Sequence, residues 1–145
     1  MGFAWQNSSQ ILLRPVGARG SVAGMAEFRV VWVAHDYDAT VAFFRDTMGL
    51  EVLRSFEEGG RGTILLAADG QLEVFAADDP AASPGVSGAR LAWEVDDADA
   101  AFAAVTGRGA TALGEPTMQP WGHKNFTVEA PDGWTITLFE IVIPQ

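Results

Sequence analysis

The chain has no cysteine, and only two of its 145 residues are histidine. The absence of thiols excludes disulfide bonds, cysteine nucleophiles and cysteine-ligated zinc. Two imidazoles, on His35 and His123, are too few for a three-histidine metal site, and they disfavour a histidine-based catalytic triad. The sequence therefore argues against sulfur chemistry and against a histidine-rich metal centre.

Basic residues are also scarce, with 9 Lys and Arg against 19 Asp and Glu and a net charge of −10. Binding to phosphates requires a basic surface, so nucleic acid is not an expected partner. No apolar run approaches the roughly 20 residues of a membrane helix, so no membrane partner is expected either. With 48% hydrophobic residues, the composition is typical of a globular protein with a real core. Cytoplasmic residence is the default expectation.

The first 24 residues differ in charge from the rest, because they contain Arg14 and Arg19 but no acidic residue. The apolar stretch at residues 11–13 is too short for the core of a secretory signal. We interpret residues 1–24 as a flexible N-terminal extension, or as sequence upstream of a natural start at Met25. Residues 25–145 form the predicted domain.

An internal repeat dominates that domain. Residues 29–44 read RVVWVAHDYDATVAFF, and residues 90–105 read RLAWEVDDADAAFAAV. Six of the sixteen aligned positions are identical, including Arg29 with Arg90 and Trp32 with Trp93. A weaker match follows between residues 68–75 and 131–139. The repeat predicts two modules of the same architecture.

Each module has the pattern of a β-α-β-β-β unit. A strand rich in β-branched and aromatic residues leads into an Asp-rich turn that caps a helix. Asp36 or Asp38 is the predicted cap in the first module, and Asp97 or Asp99 is the predicted cap in the second. Strands are expected at 28–33, 50–55, 62–67 and 71–76, and again at 90–95, 110–114, 124–129 and 134–142. Module one spans about 26–76, a Pro- and Gly-containing linker 77–89, and module two about 90–142. The fold class is α+β, and two such sheets side by side, within a chain or between chains, form a concave trough.

This duplication resembles the vicinal-oxygen-chelate superfamily, which includes glyoxalase I, extradiol dioxygenases and bleomycin-resistance proteins. The residues that carry the resemblance are 33–38, Phe43-Phe44 and 48–50 in module one, and 95–99 and 130–134 in module two. The resemblance covers roughly residues 26–142. It implies the two-module trough and a homodimer, but not one particular function, since the fold hosts many chemistries.

Metal-dependent members of this superfamily hold a divalent ion with a His on the first strand and a Glu on the last strand of each module. In this sequence the corresponding positions fall on Arg29, Glu73, Arg90 and Thr137. Arginine has no lone pair for a metal, and one carboxylate with one hydroxyl is too small a ligand set. We therefore expect no metal and no other cofactor. The arginines and Glu73 either bind an anionic ligand group or form a salt-bridge cluster that satisfies itself.

A Pro-Trp-Gly loop supplies two further candidates, Trp121 and His123. It resembles the segment that borders the ligand groove in the bleomycin-resistance-like branch. Trp121 is suited to stacking on a planar ligand, and His123 to acid, base or hydrogen-bond chemistry; alternatively, Trp121 only covers the core. His35 is interpreted as a turn or capping residue. Period-two geometry turns Trp32 and Trp93 away from the trough.

The sequence therefore predicts a small-molecule-binding protein without the usual metal site, holding an anionic or aromatic ligand in a dimeric groove. The predicted ligand-binding residues are Arg29, Glu73, Arg90, Trp121, His123 and Thr137, and no catalytic residue is assigned. The alternative is an enzyme, a lyase, isomerase or dioxygenase that is metal-independent or uses atypical ligands such as Glu73 with His35 or His123. A regulatory domain without its own small ligand is a third possibility.

Overall fold

The computed structural model describes residues 28–78 and 90–143. The predicted N-terminal extension at 1–24 and most of the predicted linker at 77–89 lie outside the described residues. The strands are β1 (Arg29–Ala34), β2 (Val52–Phe56), β3 (Gly62–Ala67), β4 (Gly70–Ala76), β5 (Leu91–Glu94), β6 (Thr117–Met118), β7 (His123–Glu129) and β8 (Thr135–Ile141). The α-helices are α1 (Tyr37–Ala42), which continues into a π-helical segment (Phe43–Thr47), and α2 (Ala98–Gly107).

The strands form two four-stranded sheets of identical connectivity. Sheet one has the order β1-β4-β3-β2, and sheet two the order β5-β8-β7-β6. In each sheet the first and last strands of the module are parallel neighbours, and the other pairs are antiparallel. In each module the helix follows the first strand and leads to the second strand, at the opposite edge of the sheet. It forms part of the long connection that two parallel strands require. The predicted repeat of two β-α-β-β-β modules is confirmed.

Both helices begin as the Asp-rich turns predict. The side chain of Asp36 accepts a hydrogen bond from the Ala39 amide at 3.0 Å, and that of Asp97 accepts one from Ala100 at 2.9 Å. These carboxylates satisfy amide groups that have no partner within the first turn of a helix. The first helix ends before Gly49, where a φ of +77° turns the chain away at low conformational cost.

The repeat extends to two ion pairs that the sequence pattern did not reveal. Asp38 binds Arg61 just before β3, with a 2.8 Å contact, and its repeat equivalent Asp99 binds Lys124 at the start of β7. The hydrogen bonds that Arg61 and Lys124 donate to these carboxylates raise the pKa of both basic groups above their usual values. Each pair ties the first turn of a helix to the third strand of its own sheet.

The predicted strand at 110–114 is wrong. That segment contributes only an isolated bridge from Ala112 to Val128, and the paired strand β6 lies further on, at Thr117–Met118. Gly114-Glu115-Pro116 separates the two stretches. Proline has no amide hydrogen to donate and glycine weakens a strand, so the pairing is interrupted here.

The helix-bearing sides of both sheets share one hydrophobic core. Trp32 is 2% exposed and stacks on Trp134 with ring centroids 4.5 Å apart, while Phe44 contacts Trp93 edge-on. The guanidinium Nε of Arg108 donates to the Thr47 carbonyl across the same junction at 2.7 Å. The prediction that Trp32 and Trp93 lie beneath the helices is confirmed. Trp134, which the sequence could not place, belongs to this core.

Alternate residues of each strand point to the opposite side of the sheet, away from the helices. On β1, Trp32 and Ala34 are buried in the core, whereas Val31 and Val33 are 56% and 46% exposed. We call this side of sheet one open face one and the matching side of sheet two open face two. No helix within residues 28–78 and 90–143 is long and apolar enough to cross a membrane.

Candidate functional site

An ion pair occupies the middle of open face one. Nη1 of Arg29 on β1 donates to Oε2 of Glu73 on β4 at 2.8 Å, and Nη2 donates to Gln71 at 3.1 Å. The side chain of Glu73 is 11% exposed and that of Arg29 31%. A guanidinium that binds two acceptors on the neighbouring strand is held close to the sheet surface. The structure thus brings together two of the predicted site residues.

The side chains at the superfamily's metal positions do not fit a divalent ion. Arg29 offers no lone pair and engages Glu73, and Thr137 shares a hydrogen bond with Thr127 across β7 and β8 at 3.1 Å. Arg90 precedes β5 on open face two. Within residues 28–78 and 90–143 no group of three or more His, Asp or Glu side chains is arranged to hold a metal. These donors do not supply the three or four ligands that zinc, nickel or iron requires.

Open face one carries an aromatic surface beside this ion pair. The ring of Phe56 lies directly over Gly62, where an added Cβ would come within 2.4 Å of the ring. Phe75 meets Phe56 edge-on at 5.5 Å, and the guanidinium of Arg54 lies 5.3 Å from the Phe56 ring centroid. With Val31 and Val33 on the adjacent strand, most of the face is apolar, and flat rings lie at one end of it.

Open face two is more polar, although it also presents a flat aromatic pair. The imidazole of His123 stacks on the ring of Phe139 at 5.0 Å with an interplanar angle of 12°. Phe139 occupies on β8 the position that Phe75 occupies on β4, two residues beyond Thr137 and Glu73 respectively. Around it stand hydroxyl and amide groups, on Thr127, Thr137, Asn125 and Gln119. One face therefore offers apolar contact, and the other offers hydrogen bonds.

The loop before β7 holds Trp121 at the rim of open face two. Trp121 is 50% exposed, and the next residue, Gly122, has a φ of +87°. An added Cβ at Gly122 would lie 2.8 Å from the carbonyl of Ile143, so only glycine fits this turn without strain. The sequence placed His123 in this loop, whereas it is the first residue of β7 and its side chain lies on the sheet.

The predicted site residues fall into two groups. Arg29 and Glu73 lie on open face one, whereas Arg90, Thr137 and His123 lie on open face two with Trp121 at its rim. No hydrogen bond or ion pair among the described residues joins the first group to the second. No strand of one sheet pairs with a strand of the other. His35 lies in the bend after β1, where its backbone amide donates to Asp132.

The phenylalanine residues of both faces were not among the predicted site residues. Phe75 and Phe139 lie two positions after Glu73 and Thr137, so the alternation of a strand places them on the same faces as those residues. That signal was available in the sequence. The position of Phe56 was not, because it depends on the irregular pairing of β2 with β3 between Val52 and Arg54.

Comparison with known proteins agrees with this architecture. The model of the Glyoxalase/Bleomycin resistance protein/Dioxygenase superfamily matches residues 28–138. The chain belongs to this superfamily. No curated protein matched it.

Solved structures of other proteins share the fold of this chain. TnmS3 from Streptomyces sp. CB03234, described as an antibiotic binding protein, is 25% identical with a TM-score of 0.66, covering 83% of this chain and 99% of its own. TioX from Micromonospora sp. ML1 is 20% identical with a TM-score of 0.65, covering 81% and 99%. A superfamily member from Sphaerobacter thermophilus DSM 20745 is 23% identical with a TM-score of 0.63, covering 80% and 97%. The last two establish the fold alone.

Proposed function

We propose that this protein binds a planar aromatic small molecule without a metal ion, in a groove that two copies of the chain form together. Open face one of one copy and open face two of its partner are the walls of this groove. The observation that carries the proposal is the Arg29–Glu73 ion pair. It engages the carboxylate at a metal-ligand position and leaves aromatic and apolar side chains as the remaining surface of that face.

The aromatic side chains support a planar ligand. Phe56 and Phe75 on one face and the stacked His123–Phe139 pair on the other are flat surfaces of the kind on which rings pack. Aromatic contacts of this type contribute roughly 0.5–1.5 kcal/mol each beyond the area they bury. Arg90 is exposed and makes no hydrogen bond or ion pair within the described residues, so it is available to an anionic group on the ring.

The exposed first strand supports the dimer. β1 lies at the edge of sheet one, and Val31 and Val33 on its open side are 56% and 46% exposed. Exposed apolar side chains grouped in this way favour association with another chain. TnmS3, described as an antibiotic binding protein, has the same fold at 25% identity, and this adds support for a ligand-binding role.

The test is a titration of planar aromatic compounds and of small anions, followed by tryptophan fluorescence, together with light scattering at micromolar concentration. We expect a dimer that binds planar rings and a Phe75→Ala variant that binds them several-fold more weakly. Leu66→Ala, on the same face but remote from the rings, is the matched control. A folded dimer that binds no member of a broad aromatic panel would contradict the proposal. A monomer that binds rings would contradict only the two-copy groove.

The enzymatic alternative requires either a metal held by an atypical donor set or a general base beside the groove. The described side chains favour neither over ligand binding. Elemental analysis of protein purified without chelator separates the metal-dependent form of this alternative from the proposal.

A further inference from the structure

A polar cleft opens at the outer side of open face two, where the segment before β6 departs from β7. The Leu113 amide still donates to the Thr127 carbonyl at 2.8 Å, and pairing resumes at Thr117 opposite Asn125. Between these points Gly114-Glu115-Pro116 faces the single residue Phe126, so the segment carries two extra residues. Such a bulge bends one strand away from its partner.

The resulting cleft has a volume of about 190 Å³. That is well above the roughly 10–15 Å³ needed for one water. Its polar lining residues are Glu115, Thr117, Gln119, Asn125 and Thr127. The cleft therefore has room for a substituent of a ligand and presents groups that form hydrogen bonds with it.

Two amide side chains form the centre of this lining. Nε2 of Gln119 donates to Oδ1 of Asn125 at 3.1 Å and, more weakly, to the Thr117 carbonyl. Within the described residues this leaves the Asn125 Nδ2 group as a donor and the Gln119 Oε1 atom as an acceptor. If both amides were flipped, the pair would still expose one donor and one acceptor. The pair is complementary to a group that itself carries one donor and one acceptor.

The cleft adjoins the aromatic pair. Asn125 is the direct cross-strand partner of Phe139, on whose ring His123 stacks. Side chains at such positions lie about 5 Å apart at Cβ. A ring that packs on Phe139 would therefore hold a substituent at its edge against Asn125 and Gln119.

Charge selects among the substituents that would fit. The Glu115 carboxylate lines the cleft, and the chain as a whole carries a net charge of −10. Like charges repel and a desolvated anion needs a cationic partner, so a carboxylate is disfavoured here. A neutral carboxamide or hydroxyl meets both the donor and the acceptor at no electrostatic cost.

We propose that this cleft is a specificity subsite for a neutral donor-and-acceptor group, a carboxamide or a hydroxyl, on the edge of the aromatic ligand. The inference rests on the proposed function, because it requires a ring seated on Phe139. It adds Asn125 and Gln119 as the residues that distinguish one aromatic ligand from another.

The experiment compares two neutral probes with the same ring, 2-naphthamide and methyl 2-naphthoate, by calorimetric titration of the full chain. The first offers a donor and an acceptor at the ring edge, and the second offers acceptors only. We expect 2-naphthamide to bind about tenfold more tightly, as one to two net hydrogen bonds would give. In ¹H–¹⁵N spectra, the side-chain amide signals of Asn125 and Gln119 should shift with 2-naphthamide.

Two variants test the residues separately. Gln119→Met keeps the length of the side chain and removes its polar atoms, and Asn125→Leu removes the donor. Gln119→Met removes the acceptor that only the N–H of 2-naphthamide can use, so it should reduce the preference to near unity while affinity for the methyl ester stays within about twofold. Asn125→Leu removes the donor that the carbonyl of either probe can use, so it should weaken both probes by a similar factor of about threefold to tenfold. Thr111→Leu, exposed on the same segment but outside the cleft, should retain the full preference.

The outcomes distinguish this inference from the proposed function. If both probes bind equally to the unmodified protein, if the preference survives in Gln119→Met, or if Asn125→Leu weakens neither probe, the subsite is overturned and the aromatic groove stands. If neither probe binds while other members of the aromatic panel do, the subsite is overturned and the aromatic groove stands; if no member of the panel binds the folded protein, both ideas are overturned.

Discussion

The indole Nε1 of Trp32 donates a hydrogen bond to Oδ2 of Asp132 at 2.8 Å, across a sequence separation of 100 residues. The same carboxylate oxygen accepts from the backbone amide of His35 at 3.3 Å. Trp32 belongs to module one and Asp132 to the turn before the last strand of module two. With Trp134 stacked on Trp32, this contact fixes the modules relative to each other at their shared core.

Removing that acceptor should destabilise the whole domain. Asp132→Ala leaves the indole N–H of a 2% exposed tryptophan without its partner, which costs about 1–3 kcal/mol of unfolding free energy. Urea denaturation at neutral pH measures the change. Asp132→Asn is the matched control, since it keeps an acceptor and tolerates the φ of +58° found here. An Asp132→Ala variant within about 0.5 kcal/mol of the parent would contradict the role of this contact.

The lack of a side chain at Gly62 should be necessary for the aromatic surface of open face one, because the Phe56 ring lies over this position. Gly62→Ala places a methyl group 2.4 Å from the Phe56 ring, which must then move from its position beside Phe75. We expect a loss of about twofold to tenfold in affinity for methyl 2-naphthoate, equivalent to one aromatic contact. Gly107→Ala, with no heavy atom within 4 Å of the added Cβ, should leave affinity unchanged. Equal binding by the parent and the Gly62→Ala protein would show that Phe56 takes no part.

The prediction that this protein lacks the superfamily's metal site can be tested by elemental analysis and by reintroducing metal-binding side chains. Protein purified without chelator should contain zinc, nickel, iron and manganese only in trace amounts. The combined variant Arg29→His, Arg90→His and Thr137→Glu, which retains Glu73, restores the superfamily's donor set and should bind one Co²⁺ or Zn²⁺ per groove. Cobalt absorption spectra measure that gain. Stoichiometric metal in the unmodified protein would refute our account of these four positions.

The ion pair of Lys124 with Asp99 predicts a stability loss at alkaline pH. The hydrogen bond that Lys124 donates to Asp99 raises the pKa of Lys124 above its usual value, so the folded state holds this proton more tightly than the unfolded state. The contribution is fully present below the unfolded pKa of about 10.4 and disappears as pH rises through the higher folded value. The pair is exposed, so the effect is small.

Thermal melting at pH 8 and pH 11 checks this sign. The drop in Tm between the two should be smaller for Lys124→Met than for the parent protein. Arg61→Met, which breaks the equivalent pair with Asp38, should leave the drop unchanged because arginine keeps its proton over this range. An identical drop for the parent and for Lys124→Met would contradict the assignment.

Strand and helix positions were largely predictable because they depend on local chemistry. Asp36 and Asp97 cap their helices through contacts three residues away, and alternation along β1 buries Trp32 while exposing Val31. Strand position failed at 110–114, where a bulge around Pro116 moves the pairing to Thr117. The position of a bulge depends on the hydrogen-bond partners that the neighbouring strand presents, and the periodicity of one segment contains no information about them.

The candidate site was predictable only in part. The superfamily resemblance placed Arg29 and Glu73 on one face, and the structure joins them at 2.8 Å. The sequence could not place Phe56 over Gly62 or Gln119 against Asn125, since both contacts depend on irregular strand pairing. It also left Trp134 without a position, because its partner Trp32 lies in the other module.

The sequence by itself therefore determined the duplication, the superfamily resemblance and the residue types at the former metal positions. Each of these follows from residue types and from their short spacings along the chain. Tertiary structure alone decided that Glu73 is engaged by Arg29, that the two modules share one core, and that Phe56 lies over Gly62 on open face one. These features arise where segments distant in sequence meet, and they follow from packing rather than from any local pattern.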